Sequence, residues 1–95
     1  MKIRAVKTQR LKGLLLNTGF EEEKGRDHIF YFYKNKGKII VRTKISHGVS
    51  EVRQPILGLI GKQLHLDRDE FESFLAGKLP RQGYEAILRT KGIID

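Results

Sequence analysis

Between residues 28 and 45 the chain alternates with a period of two on either side of one glycine-bearing turn, and this hairpin limits the fold more than any other stretch. His28–Tyr33 is dense in aromatics, and Lys34-Asn35-Lys36-Gly37 has the composition of a hairpin loop. Lys38–Ile45 puts Ile39, Val41, Thr43 and Ile45 on one face and Lys38, Ile40, Arg42 and Lys44 on the other. A shorter run, Phe20–Lys24, precedes them and closes at Lys24-Gly25-Arg26-Asp27. Three such strands predict an antiparallel meander with one buried face and one wet, basic face. In the aromatic strand, Ile29, Tyr31 and Tyr33 share one side and His28, Phe30 and Phe32 the other; the pattern alone leaves open which set lines the core.

Helical spacing flanks the meander. Leu11, Leu14, Leu15 and Thr18 predict a helix over Thr8–Thr18, with Thr8 as its cap and Gly19 as its left-handed exit. After Ser46-His47-Gly48, the stripe Ile56, Leu57, Leu59, Ile60 and Leu64 predicts a second helix. It starts near Arg53 or Gln54, so that Pro55 falls in the first turn. Asp67 and Glu70 form a capping-box pattern ahead of Phe71, Phe74 and Leu75, a helix that stops at Gly77. Pro80 then leads a last helix carrying Tyr84, Ile87 and Leu88 and ending at Gly92. The expected class is α+β, in the order α-β-β-β-α-α-α. A core over about residues 8–66 is joined by a helical extension over 67–95 in a single domain spanning 1–95, since 95 residues leave no room for a second core.

Charge narrows the function. Residues 1–50 hold 12 basic and 4 acidic side chains, whereas residues 51–95 hold 7 of each, so one half carries the whole net charge of +8. A field of that sign points to a polyanionic partner, RNA first and an acidic protein second. The chain has no cysteine, which removes disulfides, thiolate nucleophiles and cysteine zinc sites. His28, His47 and His65 lack the spacing of a metal site, so no metal or other cofactor is expected. No apolar run is long enough to span a bilayer. Met1-Lys2-Ile3-Arg4 leads into charge rather than a signal core, so the expectation is a cytoplasmic protein without a membrane partner.

The α-β-β-β-α order, with Gly25-Arg26-Asp27-His28-Ile29-Phe30-Tyr31 at the start of the second strand, resembles the HicA toxins, small proteins of double-stranded-RNA-binding-domain-like fold. The family pattern Gly-Ser-x-His is met at Gly25 and His28, with Arg26 where the family has serine. Basic residues on the third strand, Arg42 and Lys44, followed by a helix, are also similar. The likeness covers roughly Arg10 to Leu66. It implies a metal-independent endoribonuclease acting on mRNA, with His28 as acid/base and a HicB-like antitoxin as partner.

The residues themselves are compatible with that chemistry. RNA supplies its own nucleophile, the 2′-hydroxyl, so an imidazole titrating near neutrality can do the proton work and cations can hold the phosphate. Lys24, Arg26, Lys38, Arg42, Lys44 and His47 are the candidate nucleic-acid contacts, with Lys24, Arg26 and Arg42 nearest to His28 by sequence and sheet adjacency. Arg26 can hold a phosphate but, unlike serine, cannot accept a hydrogen bond. A non-catalytic RNA-binding module and a module for an acidic protein partner are the alternatives. His65 reads as a residue at a helix end, and Glu21-Glu22-Glu23 as a solvated strand. Residues 67–95 are nearly neutral. They would gate the site if they covered the basic face, or leave apolar surface for a homodimer or a helical partner.

Overall fold

The computed structural model describes residues 3–95. Its elements are β1 (Ala5–Lys7), α1 (Thr8–Thr18), β2 (Glu21–Lys24), β3 (His28–Asn35), β4 (Lys38–Ser46), β5 (Glu51–Arg53), α2 (Ile56–Gln63), α3 (Arg68–Leu75) and α4 (Arg81–Thr90). The protein is α+β. A three-stranded antiparallel sheet runs in the order β2-β3-β4, and a separate two-stranded sheet pairs β1 with β5.

The hairpin between β3 and β4 orients the molecule. Lys36 and Gly37 both have positive φ, 53° and 79°, the conformation of a two-residue turn whose twist matches the strands. From that turn Asn35 pairs with Lys38 and Lys34 with Ile39. The next pair is Tyr33 with Val41, so Ile40 is an extra residue, a β-bulge. The bulge moves every later pair by one: Tyr31 faces Thr43, Ile29 faces Ile45, Phe30 faces Lys44 and His28 faces Ser46. Without it Tyr31 would lie opposite Arg42 and Ile29 opposite Lys44. Burying either face would then bury cations or strand the tyrosines in water, at several kcal/mol for each unpaired charge. The bulge also corrects the simple alternation read for β4. Ile40 turns in against the core, while Ile39 is exposed.

The inner face is therefore Ile29, Tyr31 and Tyr33 with Val41, Thr43 and Ile45, all buried. Four helices and the small sheet complete one core around it. Leu11 and Leu15 of α1, Leu57, Ile60 and Leu64 of α2, Phe71 and Phe74 of α3, and Tyr84 and Leu88 of α4 belong to the same buried cluster. The last two helices are thus built into the core rather than appended to it. Tyr84 meets Tyr33 edge-on at 5.2 Å between ring centroids and Phe20 at 5.6 Å. Gly61 of α2 lies under the Phe71 ring, where a Cβ would come within 2.9 Å of it. Of the terminal helices, α4 packs on the inner face, where Tyr84 and Glu85 meet Tyr33, and α3 packs on α1 and α2, so the basic face is left open.

Local signals were met unevenly. Gly19 has φ 109° and closes α1, and Asp67 and Glu70 form a reciprocal capping box. Thr8 does not cap α1: Lys7 takes that position, and the buried Thr8 hydroxyl has no partner. Phe20 is a core residue ahead of β2 rather than part of it. α2 starts at Ile56, because Arg53 belongs to β5 and Gln54 turns back to bond the chain start. The Gln54 N–H donates to the Arg4 carbonyl at 3.2 Å, and its Oε1 accepts from the Gly58 N–H at 2.9 Å.

Three buried phenols keep their hydroxyls bonded. Tyr31 donates to Glu22 Oε2 at 2.7 Å, Tyr33 to Glu85 Oε1 at 2.5 Å, and Tyr84 to the Leu64 carbonyl at 2.9 Å. Burial, reinforced by a neighbouring carboxylate or phenol, pushes all three above the usual tyrosine value, Tyr33 to about 12. A raised acid pKa contributes stability that is complete below the unfolded value near 10 and is lost as pH climbs through the folded values. At about pH 10.5 the folded protein should show almost no tyrosinate absorbance, while the chain in denaturant should show roughly three-quarters of its phenols ionised. Deleting Ile40 should abolish the cooperative thermal transition followed by circular dichroism; a retained transition would show that the bulge does not set the register.

Candidate functional site

The outer face of the three-stranded sheet carries the side chains that alternation sends away from the core. Cross-strand partners share a face, so His28, Phe30 and Phe32 of β3 stand with Ser46, Lys44 and Arg42 of β4. Glu23 and Glu21 of β2 lie opposite Phe30 and Phe32 on the other flank, and Glu21 is engaged by Lys34 at 3.5 Å. Arg42 and Lys44 are exposed, and neither forms an ion pair among the described residues. The result is a row of aromatic rings bordered by free cations on one side and carboxylates on the other. Phe30 is 37% exposed, enough to offer a ring edge or face to a ligand.

His28 opens β3 and is partly exposed, its ring 6.2 Å from that of Phe30. No hydrogen bond holds its imidazole among the described residues. The turn before it is shaped by Gly25. The Gly25 N–H donates to the His28 carbonyl at 2.9 Å, and a Cβ on Gly25 would fall 2.7 Å from Phe30 Cε2 and 3.0 Å from that same carbonyl. Glycine is needed there for close approach of ring and backbone.

The other sequence candidates are divided by the register. Arg42 and Lys44 join His28 on the open face. Lys24 pairs with Ile29, and Lys38 with Asn35, so both project from the opposite side, Lys38 at the hairpin tip. Neither belongs to the surface that His28 occupies. Arg26 is exposed in the β2–β3 turn. His47 ties two loops together: its N–H donates to the Asp27 carbonyl at 3.2 Å, and Nε2 lies 2.8 Å from the Gly25 carbonyl, which makes the ring the donor. That bond gives His47 a bracing role for the turn ahead of His28. His65 lies just past α2 with φ 63°, and its carbonyl accepts from Lys91. Among the described residues no three His, Cys, Asp or Glu side chains converge as a metal-binding group would need.

One feature beside His28 was missed by sequence reasoning. A groove of about 210 Å³ runs from His28, Lys44 and Ser46 to the apolar side chains Val49, Ile56 and Leu59. Ile56 and Leu59 are 54% and 50% exposed, and Val49 is 39% exposed. The signal was present in the apolar stripe of α2, which is too wide for one contact face. Leu57, Ile60 and Leu64 follow i, i+3, i+7 and take the core, leaving Ile56 and Leu59 as a second face.

No family model, curated protein or solved structure matches this chain. Among the described residues, no helix is long and apolar enough to cross a membrane.

Gly25→Ala should displace the Phe30 ring and open the turn. Expected is a loss of about 1 kcal/mol, read as a fall of about 4–8 °C in Tm, with changed NMR shifts for the Phe30 and His28 rings. Unchanged ring shifts would count against the close packing of turn and strand.

Proposed function

We propose that this chain is an RNA-directed protein of the HicA-like kind that its Gly25–Tyr31 run resembles. Single-stranded RNA lies along the β3–β4 side of the outer face, away from Glu21 and Glu23 of β2, with phosphates on Arg42 and Lys44 and a base against Phe30. The observation that carries the proposal is the shared register of His28, Phe30, Phe32, Arg42 and Lys44 on one uncovered face. The same face supports a polyanion over a neutral ligand because its two central cations are exposed and unpaired.

His28 is the group for phosphodiester chemistry. Its neutral ring takes the proton from the 2′-hydroxyl as that oxygen attacks phosphorus. Arg42 and Lys44 balance the charge that builds on the non-bridging oxygens. The P–O5′ bond breaks, the 5′-oxygen takes up the proton that the His28 imidazolium gives back, and a 2′,3′-cyclic phosphate remains. The nucleophile is part of the substrate, so the step draws on no metal, and proton transfer of this kind is worth about 10²–10⁴-fold. A cytoplasmic location and a HicB-like antitoxin belong to the same proposal.

Binding without cleavage is the second reading, and a specific observation favours it. The His28 imidazole is held by no hydrogen bond among the described residues, and Arg26 stands where the resembled family has a serine. Incubation of labelled single-stranded RNA with the protein in EDTA separates the two. Cleavage by the parent that falls about 100-fold or more in His28→Ala supports the enzyme; binding with no products in the parent supports the binder. Both readings expect Arg42→Ala and Lys44→Ala each to weaken RNA binding and to flatten the salt dependence by about 0.7 in log–log slope. Affinity indifferent to salt would overturn both and leave an acidic protein as the ligand.

A further inference from the structure

We infer that the groove between β4 and α2 is a nucleobase pocket, which takes an unstacked base of single-stranded RNA from the nucleotide whose phosphate sits on Lys44. The inference rests on the RNA reading of the open face and extends it, because nothing in that reading involves β5 or α2. The groove and the face share His28, Lys44 and Ser46, so a strand whose phosphate meets Lys44 has a base within reach of the groove. Its volume, about 210 Å³, is below the roughly 300–1,000 Å³ of pockets for drug-sized ligands and suits a single flat ring system.

The walls fit the chemistry of a base. Val49, Ile56 and Leu59 present aliphatic surface from two segments, the β4–β5 loop and α2, and they keep a large share of it in water. A π-face placed against them leaves water together with that surface. Polar groups border the same groove. Gln63 Oε1 accepts from the Thr43 hydroxyl at 2.7 Å, which leaves the Gln63 amide hydrogens as donors for a base acceptor. Of the charged residues lining the groove, Arg53 is paired with Glu51 at 3.4 Å, and Lys44 has no ion pair among the described residues, so its charge is available to a phosphate. Charge complementarity therefore selects an occupant that is flat and apolar on its faces and anionic at its backbone.

The test compares a short oligouridylate with an abasic ribose-phosphate strand of the same length, by fluorescence anisotropy over a range of salt. The parent protein should prefer the base-bearing strand by about tenfold or more. The double substitution Ile56→Ser and Leu59→Ser should lower that preference several-fold, to the part that the base against Phe30 supplies, while leaving abasic affinity and its salt slope unchanged, which also reports an intact phosphate face. Val49→Ser, on a different segment, should lower the preference in the same sense by a smaller factor. A preference that none of these substitutions lowers overturns the pocket, leaves RNA binding standing and frees the apolar patch for a protein partner. A parent that binds neither strand in a salt-dependent way overturns the RNA reading and the pocket together.

Discussion

The single extra residue at Ile40 determines what faces water and what faces the core across the sheet. Strand side chains alternate with a period of two, so one inserted residue reverses the pairing of everything beyond it. On the turn side of the bulge, Lys34 and Ile39 share the solvent face. Beyond it, the apolar Val41, Thr43 and Ile45 meet Tyr33, Tyr31 and Ile29 rather than Phe32, Phe30 and His28. The register keeps the centre of the inner face of β3 and β4 uncharged and sends Arg42 and Lys44 to the other face, with Glu22, Lys24 and Lys38 at the margins of the inner one. An enclosed core and a partly exposed imidazole follow from the same insertion.

Tyrosine rather than phenylalanine is buried in β3, and the surroundings make that economical. Each phenol spans the core and ends at its boundary, where Glu22 or Glu85 accepts its hydrogen bond. The Tyr33 hydroxyl, and behind it the Arg81 guanidinium, hold the Glu85 carboxyl below the ordinary glutamate value; burial acts in the opposite direction and does not prevail. Phe30 and Phe32, which would need no partner inside, are left to the solvent face, because their cross-strand neighbours are Lys44 and Arg42. The cost of desolvating two cations exceeds the roughly 1.5–3 kcal/mol gained by burying an additional aromatic side chain.

The turn ahead of His28 is fixed from two directions. Gly25 lets the Phe30 ring close over the backbone, and His47 reaches back from the end of β4 to the Gly25 carbonyl. Two features that look like isolated residues in the chain thus form one brace. The β1–β5 pair adds a second tie, in which the Thr8 N–H donates to the Ser50 carbonyl at 3.0 Å and holds the loop after β4 against the start of α1. The open face and the groove beside it are bounded by these braced segments, and α4 packs on the far side of the sheet.

Much of this was legible in the chain itself. The alternation of His28–Tyr33, the αL glycine at Gly19 and the Asp67–Glu70 box are local rules, and each held because neighbouring residues suffice to satisfy it. The alternation of Lys38–Ile45 held only from Val41 onward, since the bulge at Ile40 turns Ile39 out. The strands β1 and β5 were not legible: three residues carry no period, and only pairing across more than forty positions makes them strands. The split of the α2 stripe into a core face and the Ile56–Leu59 face was decided by where β4 and α3 lie. So was the removal of Lys24 and Lys38 from the His28 surface, since sequence proximity says nothing about which side of a sheet a residue takes. Composition and periodicity determined the four helices and the three-stranded meander, the α+β class and a cationic half of the chain. The side of the sheet on which those cations meet the imidazole was decided by register, a relation between strands that neither strand contains alone.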